Sequence, residues 1–184
     1  MREKILMSTL SLVTESGFQG ASISKIIEKS GVSNGGIYSA FKNRDAIFEA
    51  LYWNIKEDLN EKHFVNFHPN LSFYDALYQY WNSKIIFGLK HPDKLKYLDQ
   101  FYHSPYYSKL NLTNNYTVFT EILKKAIKNK QVVDLDVDFI LIDINSNINS
   151  VFKYLSIKSI ENQQQFIEMS FRKYWRSIIN LNLY

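Results

Sequence analysis

Cysteine is absent from the 184-residue chain, which removes disulfides, thiolate metal sites and cysteine nucleophiles together. Glycine (6) and proline (3) are scarce. Gly17, Gly20, Gly31, Gly35 and Gly36 crowd the first fifth, no glycine follows Gly88, and neither residue type occurs after Pro105. An all-β domain needs turn residues about every 8 to 12 positions, so the long C-terminal stretch without them is expected to be helical. Apolar runs are short. None approaches the roughly 18 to 20 residues that span a bilayer. The stretch Ile5 to Val13 after Met1-Arg-Glu-Lys is interrupted by Ser8, Thr9 and Ser11, and Thr14-Glu15-Ser16 offers no small-x-small cleavage site. A cytoplasmic protein without a membrane partner is expected.

Catalytic signatures are missing as well. There is no G-x-x-x-x-G-K-[ST], no G-x-S-x-G and no H-E-x-x-H, and His63, His68, His91 and His103 show no zinc spacing. Asp134, Asp136 and Asp138 resemble the start of a calcium loop, but such a loop needs glycine and glutamate where this chain has Phe139 and Asn145. The expectation is a protein that is not an enzyme and uses no metal or cofactor. The formal charge of +4 permits a polyanionic partner without requiring one.

What is present is core material: 46% of residues are hydrophobic and 16% aromatic, far from the composition of a disordered chain. Ile5, Thr9, Leu12 and Val13 share one face of a helix over 3–16, with Gly17 placed to close it. Ser22 can cap a short second helix running to about Ser30. Gly31 allows a sharp turn, Ser33 caps a third segment ending near Phe41, and Asn43 caps a fourth helix with Asp45 in its first turn. The polar and aromatic stretch from His63 to Asn70 is the candidate boundary. Beyond it, Ser72 can cap a helix to about Leu89, and Pro92-Asp93 starts one that ends before Ser104-Pro105. Three longer helices are predicted over about 113–130, 136–154 and 160–181, with Asp136 and Ser159 as caps. The fold class is all-α.

Two short helices joined by a glycine turn, the second with small polar residues outward, suit a helix-turn-helix that enters a DNA major groove. A small helical subdomain without that role has the same pattern. The residues themselves go further. ILMSTLSLVTESGF from Ile5 to Phe18 and SISKIIEKSGVSNGGIYSAFKNRDAIFEAL from Ser22 to Leu51 resemble the N-terminal domain of the tetracycline-repressor (TetR/AcrR) family of transcriptional regulators. The landmarks fall in register: Gly-Phe after the first helix, Gly-Val-Ser at the turn, Gly35, Ile37-Tyr38 and Phe41-Lys42. Later in the chain the likeness reduces to helical character and the Tyr97 to Phe101 segment.

The resemblance implies a three-helix helix-turn-helix DNA-binding domain over residues 1–48, with the fourth helix continuing to about 62 as connector, and a helical effector-binding and dimerisation domain over 63–184. It implies a palindromic double-stranded DNA operator, a small-molecule effector of unknown identity that releases a repressor, and a homodimer through the last two helices. The recognition helix is then 34–40. Tyr38, Lys42 and Arg44 are expected at phosphates, with Ser22, Lys25 and Ser33 beside them. Gly35 and Gly36 let the backbone come close, and Asn34 and Ser39 can reach base edges. Asn34 stands where the family commonly has lysine, and Ser39 and Ala40 are short, which implies modest affinity and more dependence on DNA shape. These short side chains leave open a second reading, a helical ligand- or protein-interaction module of the same fold that no longer binds DNA.

Phe139, Ile140, Ile144, Ile148, Phe166, Phe171, Trp175, Ile178 and Ile179 are more apolar material than a helix pair needs, and are candidates for the dimer surface or the core. The central helices are rich in aromatics. By the resemblance, Tyr78, Trp81, Tyr97, Phe101, Tyr116 and Phe119 are candidates for lining an effector pocket, where tyrosines with Trp81 could hold a flat or cationic molecule.

Overall fold

The computed structural model describes residues 1–63, 70–110 and 118–179. Among these, the elements are α1 (Arg2–Gly20), α2 (Ile23–Ser30), α3 (Asn34–Ala40), α4 (Arg44–His63), α5 (Phe73–Lys90), α6 (Pro92–Tyr102), a 3-10 turn at Tyr107–Lys109, α7 (Val118–Lys128), α8 (Val137–Ile157) and α9 (Gln163–Ile178). The all-α expectation holds. No described helix is long and apolar enough to cross a membrane.

The chain divides into two compact units, Met1–Asn60 with His91–Asn111, and Glu61–Lys90 with Leu112–Tyr184. A single break near residue 63 therefore does not describe the division, because α6 packs on α1 and belongs with the N-terminal helices.

In the first unit the local signals act largely as the sequence predicts. Ser22 Oγ accepts from Lys25 N at 3.3 Å, Ser33 Oγ accepts from Gly36 N at 3.2 Å, and Asn43 Oδ1 accepts from Ala46 N at 2.9 Å. Each supplies a partner to an amide that the first turn of a helix leaves unpaired. Gly31 closes α2 in the left-handed region, φ 66°. Gly17 is also left-handed, φ 70°, but it makes a kink inside α1 instead of an end, since helical turns resume through Gly20. The core joins Ile5, Val13, Ile26, Ile37, Ile47, Phe48, Leu51 and Ile55 with Leu98 and Phe101 of α6, all buried. Tyr97 Oη donates to the Phe48 carbonyl at 2.8 Å, which ties α6 to α4.

In the second unit α5 packs on α7, α8 and α9. Trp81 lies flat on Tyr174, with centroids 5.2 Å apart, and Tyr80 stacks on Phe119 at 4.4 Å. Asp136 caps α8 through Asp138 N and Phe139 N. The cap of α9 is Asn162, not the predicted Ser159: its Oδ1 accepts from Gln165 N at 3.0 Å, and a turn precedes it. An antiparallel bridge pairs Val132 with Ile179. Ile140, Ile144, Ile148, Phe171 and Ile178 all fill this unit's own core.

Burial pushes the Tyr97 phenol far above its ordinary pKa; for Tyr174, burial comes first and the Asp143 carboxylate that accepts its hydrogen bond adds to the rise. Both phenols stay protonated in the fold at a pH where an unfolded tyrosine ionises. Above about pH 10 the unfolded chain then holds fewer protons than the folded one, so stability falls with rising pH, by about 1.4 kcal/mol per pH unit for each group. Urea midpoints measured across that range are expected to drop steeply in the wild type and more gently in a Tyr97→Phe, Tyr174→Phe double variant.

Candidate nucleic-acid interface

α3 carries Ile37 inward, 1% exposed, and Phe41 follows it into the core. Seven residues with one buried isoleucine leave the opposite side to solvent. Asn34 and Tyr38 stand one turn apart there, as do Gly35 and Ser39, and all four are exposed. Tyr38 is 54% exposed, an unusual setting for an aromatic side chain so near a core. Tyr38 therefore does not pack inward. A Cβ on Gly35 would meet open space, so bulk is tolerated there on the outer side. On Gly36 it would come within 2.8 Å of Val32 Cγ1, so glycine is required where α3 crosses the turn.

The cations differ in how they are held. Lys25 and Lys42 are exposed, whereas Lys29 is paired with Glu15 at 3.0 Å. Hydrogen bonding from Ser11, then from Lys29, holds the Glu15 carboxyl below its ordinary pKa. Arg44 is half-buried at the start of α4. Its guanidinium carbon lies 5.6 Å from the Phe48 ring centroid, and Nη2 donates to Tyr106 Oη at 3.4 Å. Such an arginine has a fixed direction, which a solvated lysine lacks.

Two further cations border the same elements without having stood out in the sequence. Arg2 lies over the Phe41 ring at 5.3 Å, and Lys109 Nζ is 3.7 Å from Asp45 Oδ2. Only the folded chain brings Lys109 to the start of α4, so no local pattern announces it. A shallow groove of about 280 Å³ runs beside Lys42, Asn43, Tyr106 and Lys109. Ser22 and Ser33 spend their hydroxyls as helix caps.

The aromatics expected around one effector pocket do not gather in one unit. Tyr97 and Phe101 are completely buried in the first, among Phe18, Phe48 and Tyr52. Trp81 and Phe119 are buried in the second, where Tyr78 is half-buried against Phe171 at 5.0 Å. Tyr116 lies outside the described residues.

Residues 5–51 match the profile of the bacterial regulatory proteins of the tetR family. The chain is 25% identical over 145 residues to the HTH-type transcriptional regulator YvdT of Bacillus subtilis (strain 168), covering 72% of this chain and 70% of that one. It is 36% identical over 58 residues to the HTH-type transcriptional regulator BetI of Proteus mirabilis (strain HI4320), covering 32% and 29% respectively. A solved TetR family transcription regulator from Marinobacter aquaeolei VT8 has the same fold, with a TM-score of 0.81 at 17% identity over 97% of this chain and 95% of the other. With α3 presented on a capped and buried base, and with the family's profile falling on α1 through the first turns of α4, residues 5–51 form a helix-turn-helix domain of the tetR family of bacterial regulatory proteins, on a chain that has the fold of a TetR family transcription regulator.

Proposed function

We propose that this regulator is a cytoplasmic, homodimeric, sequence-specific DNA-binding repressor, released from a palindromic operator by a small-molecule effector. The observation that carries the reading is the outer face of α3: Tyr38 more than half exposed beside Asn34, Gly35 and Ser39, on a helix whose underside is fixed by Ile37. An aromatic ring held out in water has a purpose when a sugar-phosphate backbone covers it. Lys42 and Arg44 then meet phosphates beside the N-terminus of α4, where the free amides and the helix dipole favour an anion. Lys25 and Ser22 approach the backbone from the start of α2, and the Ser33 backbone does so at the start of α3. Asn34 and Ser39 reach base edges, and Gly35, on the open side, admits the close approach, while Gly36 serves the packing of α3 on Val32.

Dimerisation follows from the outward side of α8. Phe139 (57% exposed), Ile142 (65%) and Ile157 (69%) lie in a stripe with Ser146, Ser150 and Lys153, at spacings of three and four residues. That is the spacing of a helix seam, with small residues at its centre to let a second helix come close. Two copies present two recognition helices, which a palindromic operator requires.

The test is selection of fragments from random duplex DNA with the full-length protein. Enrichment of an inverted repeat is the expected result; none would favour the module that does not bind DNA. On the enriched site, Arg44→Ala is expected to weaken specific and random duplex alike and to lower the slope of log affinity against log salt by about one. Ser39→Ala is expected to change the preferred bases with the salt slope intact. Equal losses on both duplexes from the serine variant would remove its reading role.

A further inference from the structure

The segment that follows α6 returns to the start of α4 and brings a cation with it. Lys109, in the 3-10 turn, has a side chain 67% exposed, with Nζ 5.7 Å from the Tyr106 ring centroid and 3.7 Å from Asp45 Oδ2. Tyr106 is itself anchored. Its ring packs against Phe18 and Phe48, with centroids 5.1 and 5.0 Å away, and its hydroxyl accepts from Arg44 Nη2 at 3.4 Å. One tyrosine therefore borders two cations, Arg44 at its hydroxyl and Lys109 at its ring. Lys42, which directly follows Phe41 at the end of α3, lines the same groove of about 280 Å³ as Tyr106 and Lys109. The acidic groups on that groove are Asp45 and Glu49, and Glu49 Oε1 accepts from Trp53 Nε1 at 3.5 Å.

At 3.7 Å the Lys109 contact with Asp45 is longer than the roughly 2.7 to 2.9 Å of a charge-assisted hydrogen bond, so the ammonium protons are not spent on that carboxylate. Both side chains stand well into solvent, where such a pair contributes little and yields to a better acceptor. We propose that Lys109 is a further phosphate contact to the operator, made from outside the helix-turn-helix: its ammonium passes from Asp45 to a backbone oxygen of the strand that Lys42 and Arg44 engage. Lys42 and Lys109 border one groove, so a strand laid along it meets both. Such a contact adds to the salt-dependent part of the affinity and to the register of the protein on the duplex, and carries no base preference. The DNA surface then includes a residue 65 positions beyond Arg44, on a turn that the N-terminal helices do not contain.

The proposal rests on the DNA-binding reading, and its test separates the two. The full chain is titrated with the enriched operator and with random duplex across a salt series. Lys109→Gln is expected to lower the slope of log affinity against log salt by about 0.9 for each copy bound, and to weaken both duplexes alike, by about fivefold to tenfold per copy near 0.1 M salt. Lys109→Arg is expected to keep the wild-type slope. Lys109 is exposed, so both variants are expected to fold and melt as the wild type does. Ethylation of operator phosphates supplies a second readout: at one phosphate in each half-site, ethylation is expected to block the wild type and to make no difference to Lys109→Gln. Asp45→Asn distinguishes a contact from charge compensation. A contact lowers the slope equally in the wild-type and Asp45→Asn backgrounds, whereas a lysine that only neutralises Asp45 has no effect once the carboxylate is gone, and that result overturns the proposal. So do an unchanged slope in Lys109→Gln, a loss confined to the operator duplex, or an unchanged ethylation pattern. Wild-type protein that binds no duplex would remove the DNA-binding reading and this contact with it; wild-type binding with the Lys109→Gln slope intact would remove the contact alone.

Discussion

Replacing Phe139 and Ile142 together by glutamate is expected to make the protein monomeric and to weaken operator binding by on the order of a hundredfold. Both side chains are more than half exposed, so the charges cost little in an isolated chain. In a dimer they would be buried on each side of a symmetric contact, where four carboxylates without partners oppose association. Loss of the dimer separates the two recognition helices, and the second half-site is then no longer bound at a high effective concentration. Ile140, Ile144 and Ile148 occupy the other side of the same helix and hold it to α5. The thermal melt of the monomer's helices is therefore expected to stay close to the wild type. Sedimentation velocity reads the oligomeric state, and titration of a labelled operator reads the affinity. A double variant that remains dimeric would remove α8 from the interface, and a monomer with undiminished operator affinity would show that pairing is not what secures the site.

The two sides of α8 illustrate what the sequence makes legible. A helix apolar on both faces gives no internal clue to which face meets its own chain. Of the apolar residues read from the sequence as surplus, Ile140, Ile144, Ile148, Phe171 and Ile178 are core, whereas Phe139 is exposed with Ile142 and Ile157, which that reading passed over. The N-terminal unit was far more readable. Ser22, Ser33 and Asn43 act within three residues of themselves, so their capping roles follow from local chemistry. Gly17 shows the limit even there, since a left-handed glycine kinks a helix when the next residues resume helical turns and ends it when they do not. The Arg44 to Tyr106 bond spans 62 positions, and the burial of Lys84 against Asn145 spans 61, so neither leaves a short-range trace.

Phe101→Ala is expected to destabilise the first unit by about 3 to 5 kcal/mol, the range for emptying a buried phenylalanine site, and to lower its melting temperature by on the order of 10 °C. Phe101 has no exposed surface. Its ring lies 4.6 Å from Tyr52 in a stacked arrangement, with Phe18 at 6.0 Å, Tyr97 at 5.9 Å and Tyr107 at 6.4 Å. Rings so enclosed cannot all move into the space that alanine leaves, so most of the lost contact is not recovered. A side chain lining a ligand pocket behaves differently: its truncation widens an existing space, costs little stability and shifts ligand affinity instead. The same variant therefore separates a core role from the pocket role that the resemblance implied for this residue. It also reaches the proposed DNA surface, because Phe18 and Phe48 form the wall behind Tyr106, the residue that holds Arg44. Below its lowered melting point, Phe101→Ala is thus expected to bind operator more weakly with its base preference retained. A loss of less than about 1.5 kcal/mol, outside the range for large core truncations, together with altered response to an effector, would return Phe101 to the pocket.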